Sequence, residues 1–301
     1  MSVAEGSAPL HRSVLLNECL QYLRPVSGGV YVDGTLGLGG HTAAILEQSA
    51  PDGRVIAFEW DEEALRWSRE RLQPYGERLT IVRRNFAELV EGLGELGIER
   101  IDGLLLDVGV SSLQLDQEGR RGFSFQRDEP LDMRMDNRRP LTAGKILATC
   151  SEEELADIFY YYGEERQARP IAAAIVESRQ REEIVTTKQL VAVVVRAVPK
   201  RFHPKHIHVA TKVFQALRIA VNGELENLAK AIDDGVAFLK PEGRLAVISF
   251  HSLEDRIVKR KFIADQRLAV VTKKSVVAST EETALNPRAR SARLRVAERQ
   301  S

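Results

Sequence analysis

Gly29-Val30-Tyr31-Val32-Asp33-Gly34-Thr35-Leu36-Gly37-Leu38-Gly39-Gly40-His41-Thr42 changes its periodicity twice within one short stretch. Val30 and Val32 flank Tyr31 as in a buried strand, and Asp33 closes that strand. Gly37, Gly39 and Gly40 then supply a turn in which backbone can approach a ligand without Cβ clashes. From His41 the spacing becomes helical, with Ala43, Ala44, Ile45 and Leu46 on an apolar face. Strand, glycine turn and helix N-terminus is the layout that holds a nucleotide-like ligand at the edge of a parallel sheet. An ordinary tight turn uses glycines too, so the sequence downstream has to decide.

The dinucleotide fingerprint G-x-G-x-x-G is absent, because Thr42 stands where the third glycine would be. The pattern D-x-T-x-G-x-G-G resembles the first motif of S-adenosylmethionine-dependent methyltransferases. A pyrophosphate requires a helix N-terminus aimed at it. S-adenosylmethionine has no phosphate, and its ammonium and sulfonium centres favour a nearby carboxylate such as Asp33.

Working outward, Arg54 to Glu59 reads as a second strand ending in an acid, followed by a helix from Glu62 to Leu72. Glu59 lies at the interval from the glycine turn at which an open α/β fold brings a carboxylate to a ribose. It also suits a cap for the helix that begins at Asp61. Leu79 to Arg84 is a third strand, and Phe86 beyond it suits either an adenine face or the core. Ile101 to Asp107 is a fourth strand after a helix from Ala87 to Leu96. Asp33, Glu59 and Asp107 all close strands, where an α/β sheet binds its ligands.

From Leu113 to about Pro204 the alternation stops, and only helical and loop patterns remain. Strand pattern returns at Arg244 to Phe250, with Leu268 to Val271 and Ala292 to Val296 as the last two strands. The expected organisation is a sheet domain from residues 1–112 and 205–301, interrupted by a helical insertion, 113–204. The insertion is the expected substrate-recognition domain.

Composition sets the outer bounds. Lys plus Arg and Asp plus Glu both number 43, so total charge says nothing about a polyanionic partner. Cys19 and Cys150 lack metal-ligand spacing and suit a reducing compartment. Met1 to Arg12 has no apolar leader pattern, and no apolar run is long enough to span a bilayer. The expectation is a cytoplasmic protein with no membrane partner.

The motifs together resemble one family. Asp33 to His41, Leu105 to Ser112, Arg121 to Phe125, Leu131 to Asp136, Tyr162 to Arg166, Ser249 to Arg256 and Asn286 to Ser291 are similar, in this order, to the bacterial 16S ribosomal RNA cytosine-N4 methyltransferases. The matches run from about His11 to Arg299. The resemblance implies an α/β, Rossmann-like class I methyltransferase, a doubly wound sheet with an inserted helical domain. It implies S-adenosylmethionine as cofactor and a cytidine of the ribosomal decoding region as target. Residue by residue, it implies cofactor contacts at Gly39, Gly40, His41, Glu59, Phe86, Asp107 and Gln114, to which the strand-end reading adds Asp33 and Gly37. Glu59 stands where many relatives carry Asp, and the loop from Arg256 to Asn286 is shorter than in some.

Methyl transfer is an in-line displacement, so alignment is the main task. The cytosine amine shares its lone pair with the ring, and an acceptor for one N–H would strengthen it as a nucleophile. Asp107 is the catalytic candidate, with a purely cofactor-orienting role as the alternative; the Asp-Val-Gly-Val that begins there lacks the prolines and aromatic common in amino-group methyltransferases. C5 methylation would need a thiolate, and neither cysteine is placed for it. Phe123, Phe125, Phe250 and His251 are candidates to receive an extruded base, with core packing as the alternative for the first two. Basic residues crowd Arg196 to Lys212 and Arg288 to Arg299, as an RNA surface or merely a solvated face. The histidines around His206 have no Cys or acid spaced for a metal, and no metal is expected. Substrates other than 16S ribosomal RNA (DNA cytosine, a protein or a small molecule), a nicotinamide-dependent dehydrogenase and a silent RNA-binding module are the rival readings. The assembled small subunit as substrate and a homodimer are further expectations.

Overall fold

A computed structural model of the chain describes residues 12–110, 114 and 121–301. The leader reading before Arg12, Ser111-Ser112 of the fourth-strand motif, and the start of the loop-rich insertion at Leu113 lie outside the described residues. The chain divides into two compact units, Met1–Ser111 with Leu225–Ser301, and Ser112–Glu224.

In the first unit β1 (Val30–Asp33), β2 (Arg54–Phe58), β3 (Leu79–Val82), β4 (Ile101–Asp107), β5 (Leu239–Ser249), β6 (Leu268–Val270) and β7 (Arg293–Arg299) form one sheet. Their order is β3-β2-β1-β4-β5-β7-β6. The first five strands pair in parallel, and β7 runs antiparallel between β5 and β6. This is the Rossmann-like sheet of a class I methyltransferase, as the sequence led us to expect. β5 begins at Leu239, earlier than the expected Arg244, because Leu239 already pairs with Ile101 ahead of an irregularity in register.

The helices before the insertion are α1 (Leu16–Leu23), α2 (Gly40–Gln48), α3 (Glu62–Leu72) and α4 (Leu89–Glu95). The second unit carries α5 (Ala143–Thr149), α6 (Glu152–Asp157), a π-helical turn at Ile158–Tyr162, α7 (Ala168–Arg179), α8 (Thr187–Ala197) and α9 (Thr211–Asn222). The chain returns to the first unit through α10 (Glu224–Phe238), α11 (Ser252–Ala264) and α12 (Thr280–Leu285).

Alternation along the strands builds two cores. Val32, Ile56, Phe58, Leu104 and Leu106 pack with Leu89 of α4, Ile232 of α10 and Phe262 of α11. Tyr31, Val55, Ala57, Leu105 and Ile248 pack with Cys19 and Leu23 of α1 and Ile45 and Leu46 of α2. Burial on both faces is what a parallel sheet requires, and each fully buried Leu or Ile contributes about 1.5–3 kcal/mol. No helix among the described residues is long and apolar enough to cross a membrane.

Within the second unit, side-chain caps from Thr142, Ser151 and Thr186 start α5, α6 and α8. The helix α9, expected in the 205–301 part of the sheet domain, packs in this unit instead. Its last residue, Asn222, is fully buried, accepts from the Met135 N–H at 2.9 Å and donates to the Met133 carbonyl at 2.7 Å. A polar side chain buried so deeply must be satisfied, and its partners belong to the insertion.

Candidate active site at the carboxyl edge of the sheet

The strand order reverses direction between β1 and β4, and ligands of such sheets bind beyond the strand ends at that point. Asp33 pairs in register with Leu105, so Asp107 projects two residues further along the neighbouring strand. The expected residues Asp33, Gly37, Gly39, Gly40, His41, Glu59, Phe86 and Asp107 all follow or close strands β1 to β4 of the first unit.

The glycine turn is held by its own carboxylates. Asp33 is 1% exposed; Oδ1 accepts from the Thr35 N–H at 3.0 Å, and Oδ2 from Thr42 Oγ1 at 2.7 Å. Asp33 therefore orders the turn, a role that its strand-end position alone did not reveal. Glu59 accepts from Gly37 N–H at 2.9 Å with one oxygen, and from Trp60 and Asp61 N–H at 2.9 and 2.8 Å with the other. A carboxylate offers roughly four acceptor sites, so Oε2 retains room for one hydroxyl rather than a bidentate pair. Burial, with Asp61 adding repulsion, pushes the Glu59 carboxyl up to about 7 despite those three amides.

Three further turn amides are engaged: Gly34 N–H on Leu105, Leu36 N–H on Phe58 and Gly39 N–H on Leu36 carbonyls. A pyrophosphate needs free amides and positive potential. Here the side chains around the turn, Asp33, Glu59 and Asp107, are acids, which suits a cationic ligand.

Gly39 caps α2 with φ +77°, and a Cβ there would meet Leu72 at 2.6 Å. A Cβ on Gly40 would meet Ser13 Oγ at 2.0 Å. The left-handed backbone favours glycine at position 39, whereas at Gly40 the Ser13 side chain would have to move to admit a Cβ. Gly37, at φ +51°, has open space around its would-be Cβ, with only the Thr35 carbonyl at 3.8 Å.

Asp107 is hung from the turn through its backbone, whose N–H donates to Thr35 Oγ1 at 2.7 Å. Its Oδ2 lies 3.7 Å from His41 Nδ1, while buried Oδ1 has no hydrogen-bond partner. Nε2 of His41 is 3.0 Å from the Val14 carbonyl and must donate there. Burial, aided by Asp33 and Glu254 and opposed by His41, pushes the Asp107 carboxyl up to about 6. An orphaned buried oxygen in a cluster of acids is an acceptor waiting for a donor.

Phe86 is half-buried, begins a 3₁₀ turn, and packs against the core that contains Val32 and Leu106. Phe250 packs against Gly109, where a Cβ would come within 3.2 Å of its ring. His251 precedes α11, its Nε2 3.1 Å from Glu254 Oε1. In the second unit Phe123 is buried, with the Arg121 guanidinium 5.4 Å from its ring centroid. Phe125 lies against the rings of His208 and Phe214, at 4.9 and 5.0 Å. Gln114 is helical and half-buried in that unit. His203 Nε2 lies 2.9 Å from the Val198 carbonyl, and His208 Nδ1 accepts from Ala210 N–H. Of the tail arginines, Arg295 makes a two-point pair with Asp255, whereas Arg290 and Arg293 are exposed.

Sequence reading missed four supporting residues. Thr35 and Thr42 carry the hydroxyls that fix Asp107 and Asp33. Glu254, 1% exposed, accepts from Phe250 N–H at 2.8 Å, and its spacing from His251 is the capping-box signal that could have found it. Glu282 accepts from Leu15 N–H at 2.7 Å across the length of the chain, which no local pattern could announce.

Known proteins bear on this arrangement. The MraW methylase family matches residues 8–300. A protein named "Ribosomal RNA small subunit methyltransferase H" from Desulfotalea psychrophila is 69% identical over 96% of this chain and 98% of its own. Relatives of the same name from Geotalea uraniireducens and a Cyanothece strain are each 53% identical over 96% of this chain, and over 98% and 95% of their own. A methyltransferase sheet, an acidic carboxyl edge and a likeness that runs from end to end agree: the chain belongs to the MraW methylase family.

Proposed function

We propose that the protein transfers a methyl group from S-adenosylmethionine to the exocyclic N4 amine of a cytidine in small-subunit (16S) ribosomal RNA. The observation that carries this reading is the acidic carboxyl edge, where Asp33, Glu59 and Asp107 gather around the glycine turn. Such an edge fits a ligand with sulfonium and ammonium charges. The substrate class comes from the relatives named above. The cytoplasm, where ribosomal RNA is at hand, is the proposed setting here.

When bound, S-adenosylmethionine supplies an electrophilic methyl group. Gly37, Gly39, Gly40 and His41 line the proposed cofactor site with backbone. The free acceptor site on Glu59 Oε2 takes a ribose hydroxyl. Phe86 offers a ring face, Gln114 is a further proposed cofactor contact, and the helical insertion is the proposed substrate-recognition domain. Asp33 contributes charge through the turn it orders.

Asp107 is the proposed catalytic residue. Its orphaned Oδ1 accepts an N4–H of the cytosine, orients the amine and receives the proton lost after transfer. A carboxyl with a pKa near 6 is ionised at neutral pH yet can hold a proton briefly. Cys19 offers no competing route: burial pushes its thiol well up, so no thiolate forms to attack C6.

The test is methyl transfer from labelled S-adenosylmethionine to unmethylated small subunits and to free 16S RNA, read by nucleoside mass spectrometry. N4-methylcytidine at one site supports the reading, and the better substrate shows whether the assembled particle is required. Cofactor binding with no label in either RNA sinks it.

A further inference from the structure

Between Glu183 and Glu224 the chain contains no Asp or Glu, in a protein whose acids and bases balance. The same span holds Lys188, Arg196, Lys200, Arg201, Lys205, Lys212 and Arg218, together with three of the six histidines. Three of these cations are already engaged. Arg218 makes a two-point pair with Glu224, Arg196 donates to Ser178 Oγ, and Lys212 to the Glu164 carbonyl.

The cations that remain concentrate where regular structure lapses. A 3₁₀ turn at Lys200–Phe202 leads into an irregular stretch ahead of α9. Lys200, Arg201, Lys205 and His206 are exposed there, and among the described residues no acid pairs with any of them. Phe202 is 50% exposed and Ile207 46%, an unfavourable placement for apolar side chains. The Arg201 guanidinium carbon lies 4.9 Å from the centroid of the Phe202 ring, so cation and ring present a joined face. The segment is anchored below, since His203 Nε2 lies 2.9 Å from the Val198 carbonyl and the His208 ring rests on Phe125.

We propose that the exposed segment from Pro199 to His208 is a docking surface for single-stranded RNA, with Lys200, Arg201 and Lys205 on its phosphates and Phe202 under a base. The proposal rests on the ribosomal RNA reading and adds where the strand is gripped. Phosphate binding requires unpaired cations, and stacking requires an exposed ring whose face any base can use. This surface combines both, free of acids that would repel the strand. An anionic membrane would share the charge attraction, but a three-residue turn is too short to lay an apolar helical face into lipid. The exposed Tyr160 and Tyr161 of the π-helical turn extend the aromatic surface of the unit. That turn ends at Gly163, where a Cβ would meet the Lys212 carbonyl at 2.7 Å.

The experiment compares the full-length protein with Phe202→Ala and with the double variant Arg201→Ala/Lys205→Ala. It measures binding to 16S RNA across a salt series, and S-adenosylmethionine binding to each protein. Removing the ring should weaken RNA binding by about tenfold, in line with base-stacking losses. The double variant should lower the slope of log affinity against log salt by about 1.4, roughly 0.7 per lost phosphate contact on a single strand. Cofactor affinity should stay unchanged in all three proteins. Unaltered RNA affinity and slope in both variants, with the parent protein binding RNA well, overturns the docking surface and leaves the methyltransferase reading intact. A parent protein that neither binds nor methylates the RNA instead overturns that reading, and this proposal with it. Loss of binding to phosphatidylglycerol vesicles without any change toward RNA also overturns it.

Discussion

The carboxyl edge of the sheet and the segment from Pro199 to His208 use charge in opposite ways. At the edge, acids are buried and bound to backbone amides, and the unmatched atom is an acceptor, Asp107 Oδ1. On the segment, cations are exposed, and the unmatched groups are donors. Buried charge in a low dielectric acts strongly over a short range on one small cation, whereas exposed charge is screened and needs a partner with many phosphates. A protein of zero net charge can therefore address two ligands of opposite sign, because the charges are sorted by burial.

The contrast breaks most visibly at Asp107. Asp107→Asn keeps the shape and should lower turnover by about 10²–10⁴-fold, the range for lost general-base assistance. Single-turnover kinetics alongside cofactor titration separate the roles: intact turnover with a raised cofactor Kd would reduce Asp107 to an orienting group.

The next effect is on stability. Thr42→Val removes the hydroxyl that donates to buried Asp33. Loss of a hydrogen bond to a charged group typically costs about 1.5–3 kcal/mol, and thermal melts should report it as a drop in Tm. An unchanged melt would mean that water or another donor replaces Thr42.

Acidity sharpens the comparison further. The Glu59 carboxyl, raised to about 7, holds a proton in the folded protein at pH values where the unfolded chain has lost it. Its contribution therefore favours folding at low pH and is lost as pH rises through 7, with Asp107 acting in the same direction near 6. Cofactor affinity should run the opposite way, falling by up to about tenfold per pH unit below 7, because a protonated Glu59 cannot accept the ribose hydroxyl as a carboxylate would. Calorimetry at pH 6, 7 and 8 checks this; a flat profile removes Glu59 from the binding step.

The smallest effect is expected at Glu282. Replacing it by Ala leaves the Leu15 N–H without its acceptor and should cost about 0.5–1.5 kcal/mol. Limited proteolysis near Arg12 should quicken while the sheet stays protected.

Much of this was legible in sequence because the information was local. Strand alternation gave β1 to β4, and the acids at their ends stood out for lack of any apolar reason to be there. The reversal of β7 rests on pairings between distant strands, which no window of sequence contains. Asp33 was legible as a site residue but not as the organiser of the turn, because its partners Thr35 and Thr42 are chosen by the turn's curvature. The limit of the insertion was misplaced at Pro204, since α9 has the amphipathic pattern of any packed helix. Its tertiary bonds, those of Asn222 and Lys212 among them, reveal which unit it packs in. Capping the helix that begins at Asp61 and contacting a ribose were alternatives for Glu59 in sequence, yet the carboxylate binds three amides and retains one acceptor site.

The bond between Leu15 and Glu282 also bears on the order in which the protein is made. His41 leans on Val14, whose neighbour Leu15 is held by α12, so the environment of Asp107 depends on residues near both extremes of the sequence. Strand β6 joins the sheet only through β7, which is translated after it. A nascent chain can thus assemble β1 to β5 before α12 has been made, but it cannot yet fasten the wall beside Asp107. The surroundings of Asp107 are therefore completed late in synthesis, after the strands that carry the three acids are already made.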